Sequence, residues 1–342
     1  MTGRTVSEDI NHPKSGNVGI VHIGIGAFHR AHQAAYTDTA MTQHGGDWRI
    51  IGVSLRSTDI VDALNAQDGA FTLIERHSDG RQARWITSLS YAIAAARDVE
   101  PVLAALADPA IRIVTITVTE KAYGIDRLSG QIQQDHPAIA HDLAHPDKPS
   151  GLIGLLVAGL KRRKVAGLSP FTIVSCDNLP SNGVLLRKGV IDFALRIDGG
   201  LADWIAANVS FPSTMVDRIT PAATQTTRAD AKRLTGVDDP VAIETEPFSQ
   251  WVIEDNFPNG RPVWEAGGAI LVDDVEPYER MKLRMLNGSH SLIAYLGQLG
   301  GYRYVRDAMV DDAFARLVAQ HMKNAALTMP PLAGIDFAQY GS

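Results

Sequence analysis

A single cysteine, Cys176, in 342 residues excludes an internal disulfide and a thiolate metal cage. A reducing compartment is the expectation that follows. Positive charge is short as well: 32 Lys and Arg against 38 Asp and Glu leave a net charge of −6. Such a chain offers no basic face to a nucleic acid and no polybasic stretch to an anionic membrane. Its one dense basic cluster, Lys161-Arg162-Arg163-Lys164, closes a predicted helix, where positive charge suits the C-terminal end of the dipole. Long hydrophobic runs are missing. Nothing approaches a membrane span, and Met1 to Gly16 is polar with no apolar signal-peptide core. Internal repeats and low-complexity tracts are missing too. The absences together describe a cytoplasmic chain with no nucleic-acid partner and no membrane partner. Nothing in them sets an oligomeric state.

What remains is the composition of an ordinary globule, 45% hydrophobic and 20% charged, long enough for two domains. Val18 to Ile23 is a short apolar run that ends in Gly24-Ile25-Gly26, a buried strand entering a tight turn. A helix is predicted from Ala27 to about His44, then a β-branched run from Arg49 to Ser54. Strand, glycine turn, helix and strand in about 30 residues make the first βαβ unit of a doubly wound sheet. Further strands are predicted at Ile111–Thr119 and Phe171–Cys176, with helices at Gly151–Arg163 and Gly183–Ile197. The alternation argues for an α/β fold with a Rossmann-type parallel sheet. From Tyr278 onward apolar residues keep only helical spacing. The expected organisation is a dinucleotide-binding domain over 1–277, then the start of a mostly α-helical domain over 278–342. A helical segment of that length rarely buries a core of its own.

Three stretches carry chemistry. Gly24 permits the tight turn and Gly26 lets a backbone approach a pyrophosphate, with His29 where a third glycine is usual. Asp59 is the carboxylate nearest the end of the second strand and a candidate for the ribose hydroxyls of NAD. Arg56 would instead favour a 2′-phosphate, and Asp59 as a plain helix N-cap weighs equally. NAD is preferred over NADP. Next comes Lys282-Leu283-Arg284-Met285-Leu286-Asn287-Gly288-Ser289-His290. On an α-helix Lys282 and Asn287 would lie about 140° apart, while Asn287 and His290 share a face. An Asn-Gly pair inside a helix is poorly formed, and the polar groups border Leu283, Met285 and Leu286. Oxidation of an alcohol by hydride transfer needs a base for the hydroxyl proton. A lysine buried beside apolar residues is shifted toward that task, and an asparagine amide donates to the developing alkoxide. The third stretch, Ser175 to Gly183, sits at the C-terminal end of a predicted strand. There Asn178 is either a second donor or part of an ordinary turn.

Seven segments together resemble the mannitol dehydrogenase family, the polyol-specific long-chain dehydrogenases. They are Gly24 to Gln33, Thr119-Glu120-Lys121, Ser175 to Asn178, Thr214 to Ile219, Glu246-Pro247-Phe248, Gln250 to Asp255 and Lys282 to His290. The family includes mannitol 2-dehydrogenase, arabinitol dehydrogenase and the fructuronate and tagaturonate reductases. The resemblance implies metal-free, NAD(P)-dependent hydride transfer between a sugar alcohol or sugar acid and its 2-keto form. It implies Lys282 as general base, Asn178 and Asn287 as the oxyanion amides, and His290 as a substrate-hydroxyl contact. Glu279 would link the proton to solvent, Asp217 would line the substrate pocket, and Asp59 would favour NAD. Gly24, Gly26, Phe28, His29 and Arg56 complete the expected cofactor set. Lys121 stands where the mannitol enzymes commonly carry glycine and the uronate reductases lysine, so it is a candidate for a substrate carboxylate, with a plain surface lysine as the alternative. Family members run past the point where this chain stops, which implies a C-terminally truncated member.

Other readings weigh less. Tyr278-x-x-x-Lys282 spells the pair of short-chain dehydrogenases, but too far from the glycine turn. A zinc alcohol dehydrogenase lacks its cysteines. A non-catalytic cofactor-binding protein is the alternative from another class.

Overall fold

The computed structural model describes residues 17–332 and 334–340. The chain divides into two compact units between Val272 and Asp273. Its strands in order are β1 (Val18–Ile23), β2 (Arg49–Ser54), β3 (Phe71–His77), β4 (Gly80–Ile86), β5 (Leu89–Ala94), β6 (Ile113–Ile116), β7 (Thr172–Ser175), β8 (Thr214–Asp217), β9 (Ile243–Thr245), β10 (Gln250–Glu254) and β11 (Ile270–Val272).

The first unit is built on a five-stranded sheet in the order β5-β2-β1-β6-β7, and all four pairings are parallel. This is the doubly wound arrangement expected from the alternating pattern. The strands β2, β1, β6 and β7 are almost wholly buried because both faces are covered, while the edge strand β5 alternates, with Tyr91 exposed. Val21, Ile23, Ile51, Val53, Val114 and Ile116 pack with the helices Glu100–Ala107, Leu152–Val165 and Asn182–Ile197. Ile20, Ile50, Ile113 and Val174 join a second core with Ala34, Ala35, Tyr36, Trp251 and Trp264. Strand order reverses between β1 and β6, where Ile23 pairs with both Val53 and Ile116. Ligands of such sheets bind in the crevice at that switch point.

Several local expectations change. The helix after the glycine turn is two helices, Ala27–Ala31 and Gln33–His44, broken at His32 (φ −116°, ψ −92°). The strand expected over Ile111–Thr119 keeps only its centre, since Thr117 to Thr119 leave the ladder as the loop at the switch point. Two small sheets, β4-β3-β9 and β11-β10-β8, were not predicted. The signal for the first was present: β3 and β4 are antiparallel and flank Ser78-Asp79, with His77 paired to Gly80.

In the second unit, helix Glu276–Met281 runs into a π-helical turn, Lys282–Asn287, and then into helix Gly288–Leu299. Helices Val305–Val310, Asp312–Ala326 and Phe337–Tyr340 follow. Ile293, Ala308 and Val318 form a small buried cluster, while Tyr295, Leu299, Val310 and Leu327 are exposed. The core is as thin as a segment of this length leads one to expect.

One polar clamp fixes the end of β7. Buried Asn182 donates its amide to the carbonyls of Asp177 (3.1 Å) and Thr214 (2.9 Å) and accepts from the Thr214 N–H (2.9 Å). Thr214 Oγ1 donates to the Ser175 carbonyl at 2.6 Å. Asn182→Ala strips partners from buried backbone groups and is expected to lower the unfolding free energy by about 1–3 kcal/mol. A urea midpoint equal to that of the unaltered chain would refute the clamp.

Candidate functional site

The switch point is a place where two backbones touch. Gly24 has φ +104°, and a Cβ there would lie 1.9 Å from the Thr117 carbonyl oxygen. Only glycine adopts that conformation at that separation. Gly26 differs: its φ is −66°, it is exposed, and a Cβ would meet nothing within 4 Å. Sterics inside the chain therefore do not require glycine at 26. Open space beside a bare backbone at the C-terminal edge of a parallel sheet fits a bound pyrophosphate.

Behind the turn lies a pair of buried histidines. His22 hydrogen-bonds through Nδ1 to Thr115 Oγ1 (2.7 Å) and through Nε2 to Thr117 Oγ1 (2.8 Å). Thr117 Oγ1 donates in turn to the Gly24 carbonyl at 2.7 Å. The His29 ring stacks on His22 with centroids 3.3 Å apart. Burial holds both imidazoles neutral, His22 with its pKa brought down to about 3 and His29 well below the ordinary value. Protonation is easier in the unfolded chain, so their contribution costs stability progressively as pH falls below about 6.5. His29 is thus a wholly buried packing group behind the turn rather than a surface contact for a ligand. Phe28 is half-buried and stacks on His32. His32 Nε2 meets the Gln250 carbonyl at 2.9 Å, and Arg218 bridges the Ala31 carbonyl and Glu75. The segment after the turn is braced by β10 and by the end of β8.

Arg56 and Asp59 are both exposed on the segment after β2. Asp59 is the first residue of helix Asp59–Asn65, and the N-cap is Thr58, so the capping role considered for Asp59 is corrected.

Asn178 is exposed just past β7, and its neighbours form a three-residue turn in which the Leu179 N–H donates to the Asp177 carbonyl at 2.8 Å. Asp177 passed unassigned in the sequence. Its Oδ2 accepts from the Val118 N–H (3.0 Å) and from the Tyr123 hydroxyl (2.5 Å), and burial raises its carboxyl to about 6. Its nearest sequence signal was the density of turn formers around it. Lys121 is exposed in a single 3₁₀ turn, Glu120–Tyr123, past the end of β6. Glu120 pairs with Arg127, not with Lys121. Asp217 ends β8, half-buried and paired in register with Gln250.

In the second unit the π turn alters the geometry expected of the lysine segment. Its hydrogen bonds run i→i+5, as from the Gly288 N–H to the Leu283 carbonyl. The wider turn brings residues five apart closer in azimuth, so Lys282 and Asn287 diverge by less than the about 140° of an α-helix. Lys282 is only 7% exposed, and Tyr278, Met281 and Met285, near it in sequence, are buried as well. Leu283, expected in that apolar wall, is 62% exposed and takes no part in it. Glu279 and Asn287 are half-buried, and His290 is exposed one turn beyond Asn287. Among the described residues no cluster of three or more His, Cys, Asp or Glu has metal-site geometry, and no helix is long and apolar enough to cross a membrane.

Two family models match the chain: the mannitol dehydrogenase Rossmann domain over residues 18–266 and the mannitol dehydrogenase C-terminal domain over 274–342. D-mannonate oxidoreductase of Escherichia coli is 44% identical over 94% of the chain and 68% of its own length. The mannitol 2-dehydrogenase of Pseudomonas fluorescens, solved as a ternary complex with NAD and D-mannitol, superposes with a TM-score of 0.85 at 45% identity. That match covers 95% of the chain and 67% of the solved protein. A substrate-free D-sorbitol dehydrogenase gives a TM-score of 0.91 at 37% identity, over 95% of the chain and 68% of that protein. The chain thus spans about two thirds of the length of these relatives.

The open space at Gly26 generates a test. Gly26→Ala should melt within about 0.5 kcal/mol of the unaltered chain yet bind NADH at least about tenfold more weakly. Unchanged affinity in a fluorescence titration would remove Gly26 from the cofactor site.

Proposed function

The chain belongs to the mannitol dehydrogenase family, and from that premise we propose that it interconverts a linear sugar alcohol or aldonate with its 2-keto form, using NAD and a lysine base without metal. The observation that supports the proposal best is the π turn over Lys282–Asn287, which carries a lysine only 7% exposed and brings Asn287 nearer its side of the helix than an α-helix would.

The division of labour follows from the chemistry of each group. When bound, the nicotinamide supplies or accepts the hydride. Gly24 and Gly26 hold the pyrophosphate, with Phe28 beside them. Asp59 takes the ribose hydroxyls, which favours NAD over NADP, as does the NAD in the Pseudomonas fluorescens complex. Arg56 is the residue that would reverse the preference if a 2′-phosphate were bound. Lys282 removes the hydroxyl proton during oxidation and returns it during reduction. It is only 7% exposed, as a base shielded from bulk water would be. Asn178 and Asn287 donate to the oxygen as negative charge develops on it, and neither can take the proton away. Glu279, one turn before Lys282, passes the proton to solvent. His290 and Asp217 contact substrate hydroxyls.

Lys282→Ala should reduce turnover by far more than tenfold while leaving NADH affinity nearly intact, since the glycine turn is untouched. Turnover within about tenfold of the unaltered chain, an effect of ~1.4 kcal/mol, would exclude Lys282 as the base.

Lys121 supports an acidic substrate. It is exposed beyond the C-terminal end of β6, and Glu120 beside it is already paired with Arg127. A charge-assisted contact to a carboxylate contributes about 1.5–3 kcal/mol, or roughly tenfold to a hundredfold in kcat/KM. Lys121→Gly is therefore expected to weaken reduction of fructuronate by that factor and to spare fructose. Equal losses on the two substrates, or a wild-type preference for fructose, would sink the assignment.

A further inference from the structure

Asp177 has no role in the chemistry just assigned, yet its position is unusual for a carboxylate. It lies at the C-terminal edge of the sheet with Oδ2 gripped by the Val118 N–H at 3.0 Å and by the Tyr123 hydroxyl at 2.5 Å. Tyr123 is itself buried, 2% exposed, and its hydroxyl also meets Ser175 Oγ at 2.7 Å. The backbone of Asp177 is held as firmly. Its carbonyl accepts from the Leu179 N–H at 2.8 Å and from the Asn182 amide at 3.1 Å.

Those last bonds close a three-residue turn, and the residue at its apex is Asn178. Asp177 is the base of the turn, tied on one side to the loop after β6 and on the other to helix Asn182–Ile197. An exposed amide on a tight turn gains precision only from what anchors the turn. Here the anchor is half-buried, with Oδ2 and the backbone carbonyl each held by two donors.

Stability alone gives no reason for a carboxylate here. Burial pushes the Asp177 carboxyl up to about 6, so the folded chain takes a proton more readily than the unfolded one between about pH 4 and 6. The ionised form present above that range is held at a cost to folding. A group kept where its charge is disfavoured is a candidate for function.

We propose that Asp177 is a positioning residue: clamped by Tyr123 and the Val118 N–H, it fixes the turn that presents Asn178 and thereby sets the rate of hydride transfer without touching substrate or cofactor. The inference rests on the reading of Asn178 as an oxyanion donor.

The test measures kcat and KM for fructuronate and fructose with NADH, and NADH affinity by fluorescence, on the full chain. Tyr123→Phe keeps the ring and removes one hydrogen-bond donor. It is expected to lower kcat about tenfold with KM and NADH affinity nearly unchanged. Asp177→Ala should lower kcat further. Asp177→Asn, which keeps an oxygen acceptor at the same place, should recover most of that loss. On an Asn178→Ala background the Tyr123→Phe effect should vanish, because the residue it acts through is gone.

Normal kcat in Tyr123→Phe and Asp177→Ala, beside an impaired Asn178→Ala, would overturn the positioning role alone. So would effects that add to that of Asn178→Ala. Full activity in Asn178→Ala would overturn the donor reading, and this proposal with it. Should Asp177→Ala fail to fold, Tyr123→Phe and its double variant decide by the same criteria.

Discussion

At the ends of β1 and β6 the backbones of Gly24 and Thr117 approach so closely that a Cβ on Gly24 would overlap the Thr117 carbonyl oxygen at 1.9 Å. That contact is where strand order reverses, and the rest of the first unit is arranged to keep it. Thr117 donates to the Gly24 carbonyl, and His22 holds Thr117 and Thr115 from the face below. The next residue, Val118, is gripped by Asp177 at the end of β7. The glycine turn and the Asn178 turn are therefore linked through three strand ends by hydrogen bonds, not by loops free to move apart. A site that must hold two reactants in a near-attack geometry gains from such rigidity, because misplacement by an ångström is costly in rate.

Four of the five strands of the main sheet were legible because they are mostly buried and read as short apolar, β-branched runs, whereas the edge strand β5, Leu89–Ala94 with Tyr91 exposed, was missed. Ile113-Val114-Thr115-Ile116 has no other use. The glycine turn was legible for the same local reason, a strand ending in two glycines before a helix. The two small sheets were harder. β8, β9 and β11 are three or four residues long, and their partners are distant in sequence, as Leu73 is from Ile243. Periodicity over so few residues is weak, and only tertiary pairing decides. Individual site residues could be listed from motifs, but their relations could not. Tyr123 and Asp177 are neighbours only because β6 and β7 are.

The π turn shows another limit. Asn287-Gly288 marked the helix as weak, which was correct, but weakness does not say how a helix will yield. A Cβ on Gly288 would stand 3.0 Å from His321 Nε2, on helix Asp312–Ala326. The missing side chain leaves room for that helix beside the turn whose hydrogen bonds run i→i+5. The slip turns Asn287 toward the side of the helix that Lys282 occupies, which a reading at 100° per residue does not produce. The residues that matter most to the proposed chemistry thus sit where local propensity and the observed backbone disagree, as is common at functional sites.

Charge is largely kept out of the interior behind the sheet edge. His22 and His29 are held neutral by burial, and Tyr123 and Cys176 are pushed far above their ordinary values and so stay protonated. A network of neutral polar groups can be rigid without setting up a fixed field of its own. That suits a reaction whose transition state develops one negative charge on oxygen. Donors aimed at that oxygen are worth most where little else competes for it. Asp177 differs, a carboxylate engaged by the Val118 N–H and the Tyr123 hydroxyl, both of which are directed at a single oxygen. Its Oδ2 ties the loop after β6 to the end of β7 and leaves the neighbouring Asn178 exposed, as the proposed donor role requires.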